Sequence, residues 1–180
     1  MSTAVLVIDV QQGLCEGDGA ALDCVGTIKR INQVTAKARL AGARVIFIQH
    51  ESNDGYLEFN SAAWQLAKGL NVGASDQRVR KTTPDTFLRT QLHSLLLSNS
   101  ITELVICGMH TEFCVDTTTR RALSLGFPVV LISDAHTSAG NEAISAAQVI
   151  AHHNATLTNI SSFGPRVVAV SASDFTLAPA

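Results

Sequence analysis

Glu103-Leu-Val-Ile-Cys-Gly-Met-His-Thr-Glu-Phe-Cys114-Val-Asp-Thr-Thr-Thr-Arg-Arg-Ala122 passes from an apolar strand, through a glycine turn, into a helix whose leading turn carries a cysteine. The Leu, Val and Ile run fits a strand buried on both faces. Val115, Thr118, Ala122 and Leu125 then recur at helical spacing, and Gly126 ends the series. Strand, tight turn and helix in that order form the repeating unit of a parallel α/β sheet. The first-turn amides of a helix lack intrahelical acceptors and carry the positive end of its dipole, so a thiolate at Cys114 is favoured over the thiol. Cys114 is therefore a candidate nucleophile. The competing reading is a buried structural thiol, since free cysteine is among the most buried residue types.

Outward from this stretch, short runs rich in Val, Ile and Leu alternate with segments of helical period. The pattern predicts strands over Ala4–Val10, Ala43–His50, Gln77–Lys81, Glu103–Gly108, Pro128–Ser133 and Ala155–Ile160. Ile31, Val34 and Ala38 share one helical face that stops at Gly42; Leu88, Leu92, Leu95 and Leu96 share another, and Ala143, Ala147 and Ile150 a third. Near-continuous apolarity in four of the strands implies helices on both faces of the sheet. Glu51–Asp76 is the irregular part, with Asn53-Asp54-Gly55 at a turn and an isolated Trp64. It is long for a plain connection, as lids often are.

The 180 residues, 46% of them apolar, suffice for one domain, expected over 1–180. A formal net charge of -2 with scattered basic residues argues against nucleic acid. With no basic leader and no bilayer-length apolar run, a soluble cytoplasmic protein without membrane partners is expected. Cys15, Cys24, Cys107 and Cys114 form no Cys-x-x-Cys pair and are too sparse for a disulfide framework, so free thiols are expected.

Open parallel sheets bind ligands beyond the carboxyl ends of their strands. Asp9 ends the first strand, Lys81 the third, and Cys114 follows the fourth by one turn. A carboxylate, an ammonium and a thiol on one rim are the base, charge partner and nucleophile of a hydrolase.

Val7-Ile-Asp9-Val-Gln-Gln, Val79-Arg-Lys81-Thr-Thr-Pro-Asp-Thr-Phe87 and Gly108-Met-His-Thr-Glu-Phe-Cys114-Val, in this order, resemble three signatures of the isochorismatase-like cysteine hydrolases. The resemblance extends through Gly126-Phe-Pro-Val-Val-Leu-Ile-Ser-Asp134-Ala135 and covers about Ala4 to Ile160. It implies a three-layer α/β/α fold on a six-stranded, mainly parallel sheet of order 3-2-1-4-5-6. It implies cleavage of an amide or ureido C–N bond by Asp9, Lys81 and Cys114 through a thioester, without a cofactor. It further implies an oxyanion hole from the backbone N–H groups of His110 and Cys114, aimed by a cis peptide between Met109 and His110. Family members usually form dimers or higher assemblies, so a homo-oligomer, dimer or tetramer, is expected, with the small apolar tail Ser161–Ala180 packed on a neighbour.

Departures from better-known members bear on the substrate. Metal-containing nicotinamidases of the family carry Asp-x-His after the second strand, where this chain reads Phe47-Ile-Gln-His50-Glu-Ser-Asn, with no other histidine before His93. No metal is expected, and His50 either lines the pocket or is satisfied by hydrogen bonds. True isochorismate hydrolases lack the cysteine, so amide chemistry is expected over vinyl-ether cleavage. Candidate substrate-binding residues are Gln11, Leu14, His50, Trp64, Phe87 and Phe113, whose aromatic members also fit ordinary core packing. His152 and His153 read as the end of a helix, facing its negative pole. A catalytically silent scaffold, a metal-assisted hydrolase using His50 with Asp54 or Glu51, and a nucleotide-binding domain are the alternatives. The last lacks any glycine-rich phosphate loop after the first strand.

Overall fold

The computed structural model describes residues 2–178. Six parallel strands form one sheet: β1 (Thr3–Ile8), β2 (Arg44–His50), β3 (Gln77–Lys81), β4 (Glu103–Met109), β5 (Val129–Thr137) and β6 (Val167–Val170). Their order is β3-β2-β1-β4-β5-β6, so the chain reverses direction across the sheet between β1 and β4. A short helix α1 (Gln12–Cys15) follows β1, and α2 (Cys24–Leu40) covers one face. Helices α3 (Leu92–Ser98), α4 (Asp116–Ser124) and α5 (Ala146–Asn159) cover the other.

Alternation along each strand feeds two apolar layers, and helices on both sides explain why β1 is buried throughout. Leu6, Ile8, Ile48 and Val79 meet Leu92, Leu96, Ala122 and Leu157 on one face, while Val5, Val7 and Phe47 meet Ile28, Ile31 and Val34 of α2 on the other. Each such buried aliphatic side chain contributes about 1.5–3 kcal/mol. Asp23 starts α2 by accepting the N–H of Gly26, which satisfies one of the amides a helix start leaves open. No helix among the described residues is long and apolar enough to cross a membrane.

The expected sixth strand is displaced. Ala155–Ile160 forms the last turns of α5 and the residue capping it, and β6 is the Val167–Val170 run that follows the Gly164-Pro165 turn. Ser145 and Gln148 start α5 with a reciprocal capping box. The β-branched residues that suggested a strand are accommodated because Thr158 returns its hydroxyl to the Asn154 carbonyl at 2.8 Å. His152 and His153 therefore lie inside α5 rather than at its end, with His153 Nδ1 donating to the Val149 carbonyl. The buried residues of α5 are Val149 and Leu157, in place of the expected Ala143, Ala147 and Ile150 face. Leu88 precedes α3 and is exposed.

The long 51–76 segment is a fastened strap. Its residues 63–66 run beside the chain after β1: Gln12 N–H donates to Gln65 O, Gly13 N–H to Ala63 O, and Gln11 pairs with Leu66. The Tyr56 hydroxyl also donates to the Gly13 carbonyl. At its far end, Asp76 accepts both from the Arg39 guanidinium, at 2.6 and 3.1 Å, and from Gly73 N–H. The tail places Ala172 and Phe175 in the core under α2, where Lys37 Nζ donates to the carbonyls of Ala172, Ser173 and Phe175. This part of the expected subunit-contact segment thus packs on its own chain.

Candidate active site

Asp9, Lys81 and Cys114 converge beyond the carboxyl ends of β1, β3 and β4. Lys81 Nζ lies 2.7 Å from Asp9 Oδ2 and 3.1 Å from Cys114 Sγ. All three residues are buried, and the Lys81 side chain is 0% exposed. The same ammonium meets His50 Nδ1 at 3.1 Å and donates to Thr83 O at 3.1 Å. Its three protons therefore serve four acceptors.

Lysine has no lone pair when charged, so His50 Nδ1 must accept, leaving the proton of the neutral ring on Nε2. Burial and the Lys81 charge both hold the His50 pKa below its ordinary value, which keeps the ring in that state. Asp9, His50 and Cys114 offer ligand atoms within 4.8 Å of one another, a spacing that suits a metal ion. The Lys81 ammonium already donates to all three, so a cation of the chain's own neutralises the cluster.

The electrostatics of the cysteine reverse the expectation from its helix. Burial, followed by the Asp9 charge, pushes the Cys114 thiol up to about 12, and Lys81 only partly opposes them. The helix-terminal field is therefore outweighed, and the resting group is a thiol with its proton next to Asp9. Burial also works against the charge of Lys81, yet Asp9 and Cys114 together outweigh it and raise its pKa. Asp9 Oδ1 is buried and has no hydrogen-bond partner among the described residues, so an acceptor remains open beside the thiol.

The loop before Cys114 is held from both sides. The Met109–His110 peptide is cis, and residues Thr111–Val115 form a single π-helical turn that leads into α4. The His110 carbonyl accepts the N–H groups of Phe113 and Val115, the neighbours of Cys114, at 3.1 and 3.2 Å. Thr111, His136 and Asn154 form a hydrogen-bonded chain of which only Thr111 lies in one of the three sequence signatures. Asn154 donates through Nδ2 to Ser133 O, so its Oδ1 accepts from His136 Nε2 at 3.0 Å. His136 Nδ1 is then left to accept the Thr111 hydroxyl at 2.8 Å. Burial lowers the His136 pKa and keeps the ring neutral. His136 lies outside every quoted motif and reaches Thr111 only through the register shift between β4 and β5, after which it pairs with Gly108.

The proposed wall residues fall in different places. Gln11 is fully buried and spends its amide on His50 O, Trp64 O and His50 N–H. Trp64, in the strap itself, is buried and edge-on to Phe59 at 5.0 Å. Phe87 lies in the core stacked near Phe127. Leu14 packs against the α2 side, whereas Phe113, beside the cysteine, is 58% exposed.

Residues 3–162 match the isochorismatase domain family. The chain belongs to the isochorismatase family. A streptothricin hydrolase of Streptomyces noursei is 38% identical over 134 residues, covering 74% of this chain and 49% of the relative. The chain thus spans about half the length of that relative. The ureidoacrylate amidohydrolase RutB of Caulobacter vibrioides is 30% identical, with 81% of each chain covered. A solved isochorismatase family protein superposes with a TM-score of 0.86 at 34% identity, over 94% of this chain and 98% of the other.

Proposed function

We propose that the protein is a cysteine-dependent hydrolase that cleaves an amide or ureido C–N bond of a small molecule. The observation that carries the reading is the buried ammonium of Lys81, in hydrogen-bond contact with both the Asp9 carboxylate and the Cys114 sulfur. That contact sets the Asp9 carboxylate beside a thiol that holds its proton. As Cys114 Sγ attacks the carbonyl carbon, Asp9 takes the thiol proton, and the Lys81 charge steadies the anionic pair throughout. The tetrahedral oxyanion is received by the backbone N–H groups of His110 and Cys114. Asp9 then passes its proton to the leaving nitrogen, and the C–N bond breaks to leave a thioester. A water activated by Asp9 hydrolyses that thioester, releasing the acid and restoring the thiol.

The names of the relatives support this chemistry: one is a streptothricin hydrolase and one a ureidoacrylate amidohydrolase. Ammonia release from a panel of small amides, ureido acids and nicotinamide tests the reading. Saturable release from an amide or ureido compound is expected and names the substrate class. No release above the uncatalysed background across the panel would contradict it.

A further inference from the structure

We propose that a cavity between the strap and the sheet edge, bordering the candidate active site at Lys81, is a ligand site for a small oxyanion, a carboxylate or phosphate, that also carries an O–H or N–H donor. The cavity measures about 410 Å3, within the range of small-molecule sites; Gln49, Trp64, Arg78, Arg80 and Arg89 are among the residues lining it, and Lys81 stands where it meets the candidate active site. Gln49 pairs in register with Arg80 on neighbouring strands, so their side chains share a face of the sheet. Along β3, Arg78 and Arg80 alternate with Val79 and Lys81, which serve the core and the candidate active site.

Two buried polar atoms in the wall have no hydrogen-bond partner among the described residues. Gln49 Nε2 is committed to the Trp64 carbonyl at 3.0 Å, which leaves Oε1 as an acceptor with nothing to accept. Trp64 Nε1 is a donor with nothing to receive it. Gln49 is 0% and Trp64 6% exposed, and buried polar groups are nearly always satisfied, so the pair marks positions that a bound molecule would fill.

The charge of the wall sets the sign of that molecule. Arg80 is bonded to both oxygens of Glu51, at 2.7 and 3.0 Å, and its guanidinium carbon lies 3.8 Å from the centre of the Phe59 ring. That contact fixes Arg80 in place. Among the described residues, Arg78 and Arg89 have no carboxylate partner. Three guanidinium groups therefore face one carboxylate, and two of them are free for bidentate capture of an oxyanion. The indole N–H adds a further donor to the anion, and Gln49 Oε1 accepts from a hydroxyl or amine on the same molecule.

Trp64 is the sole tryptophan of the chain, so its emission reports directly on this cavity. The protein is titrated with L-malate and with glycerol 3-phosphate, as wild type, as Arg78→Ala/Arg89→Ala and as Cys114→Ala. A saturable change with at least one ligand is expected, weakened at least tenfold in the arginine double variant and retained in Cys114→Ala. A response to malate alone assigns a carboxylate, to glycerol 3-phosphate alone a phosphate, and to both the chemistry they share. Both arginines are exposed and have no carboxylate partner among the described residues, so the double variant keeps its structure. Absence of saturation with either ligand, or equal binding by the double variant, would overturn the proposal. Because the readout is binding rather than turnover, its failure is distinguishable from a failure of the hydrolase reading, although Lys81 borders both sites.

Discussion

A β-carbon on Gly108 would stand 2.1 Å from the carbonyl oxygen of Ile8. No side chain fits there, and Gly108 also holds a φ of +120°, which disfavours L residues. The close approach sets the end of β1, and with it Asp9, against the loop that delivers Cys114. Gly108→Ala should therefore destabilise the fold by at least about 3 kcal/mol, since backbone has to move to relieve the clash. Urea unfolding of the variant beside wild type checks this, and an unchanged midpoint would contradict it.

Lys81 is the counter-charge of a buried carboxylate. Lys81→Met leaves Asp9 uncompensated and should cost about 3–5 kcal/mol, whereas Asp9→Asn/Lys81→Met removes both charges and should recover most of that loss. Both variants should lack hydrolase activity. Calorimetric unfolding with ammonia-release assays separates the structural from the chemical role, because stability returns in the double variant and turnover does not.

His50, His110 and His136 all have pKa values held below 6.5, burial being the leading cause for each. A depressed folded-state value means that the unfolded chain binds protons first as pH falls, so this contribution to stability is present above about pH 6.5 and is lost below it. The Tm should therefore fall as pH is taken from 7.5 to 5. His136→Asn should flatten that dependence while lowering the Tm at neutral pH, because Thr111 loses its acceptor. A slope unchanged by the substitution would count against the neutral His136 assignment.

A Cys114 thiol pushed up to about 12 should be alkylated slowly at neutral pH. Its reaction with iodoacetamide, followed by peptide mapping, should accelerate about tenfold per pH unit from 7 to 9 without levelling off, because only the thiolate reacts. A plateau near neutrality would show a resting thiolate instead.

The residues legible in sequence were those whose chemistry is local. Asp9, Lys81 and Cys114 each end a strand or begin a helix, so strand periodicity alone put them on one rim, and the structure brings them into contact. Apolar runs likewise placed β2 to β4 to within a residue, while β1 ends two residues before the expected Val10. What was not legible depended on context. Thr158 and Asn159 fall within the expected strand Ala155–Ile160, but their side chains bond back to the carbonyls of Asn154 and Ala155 within α5. Val167–Val170 is too short a run to stand out until β5 is there to pair with it. The raised Cys114 thiol reflects burial, a tertiary quantity that helix position does not report. His136 entered the site neighbourhood through an irregular register between β4 and β5, which no periodicity predicts.

The central claim is that Cys114 is the nucleophile. It is tested most directly by the rate of ammonia release from the best amide or ureido substrate at saturation, in wild type and in Cys114→Ala with matched circular dichroism. Loss of about four orders of magnitude in kcat with the fold intact is the predicted result. A Cys114→Ala protein that turns over at a rate comparable to wild type would contradict it.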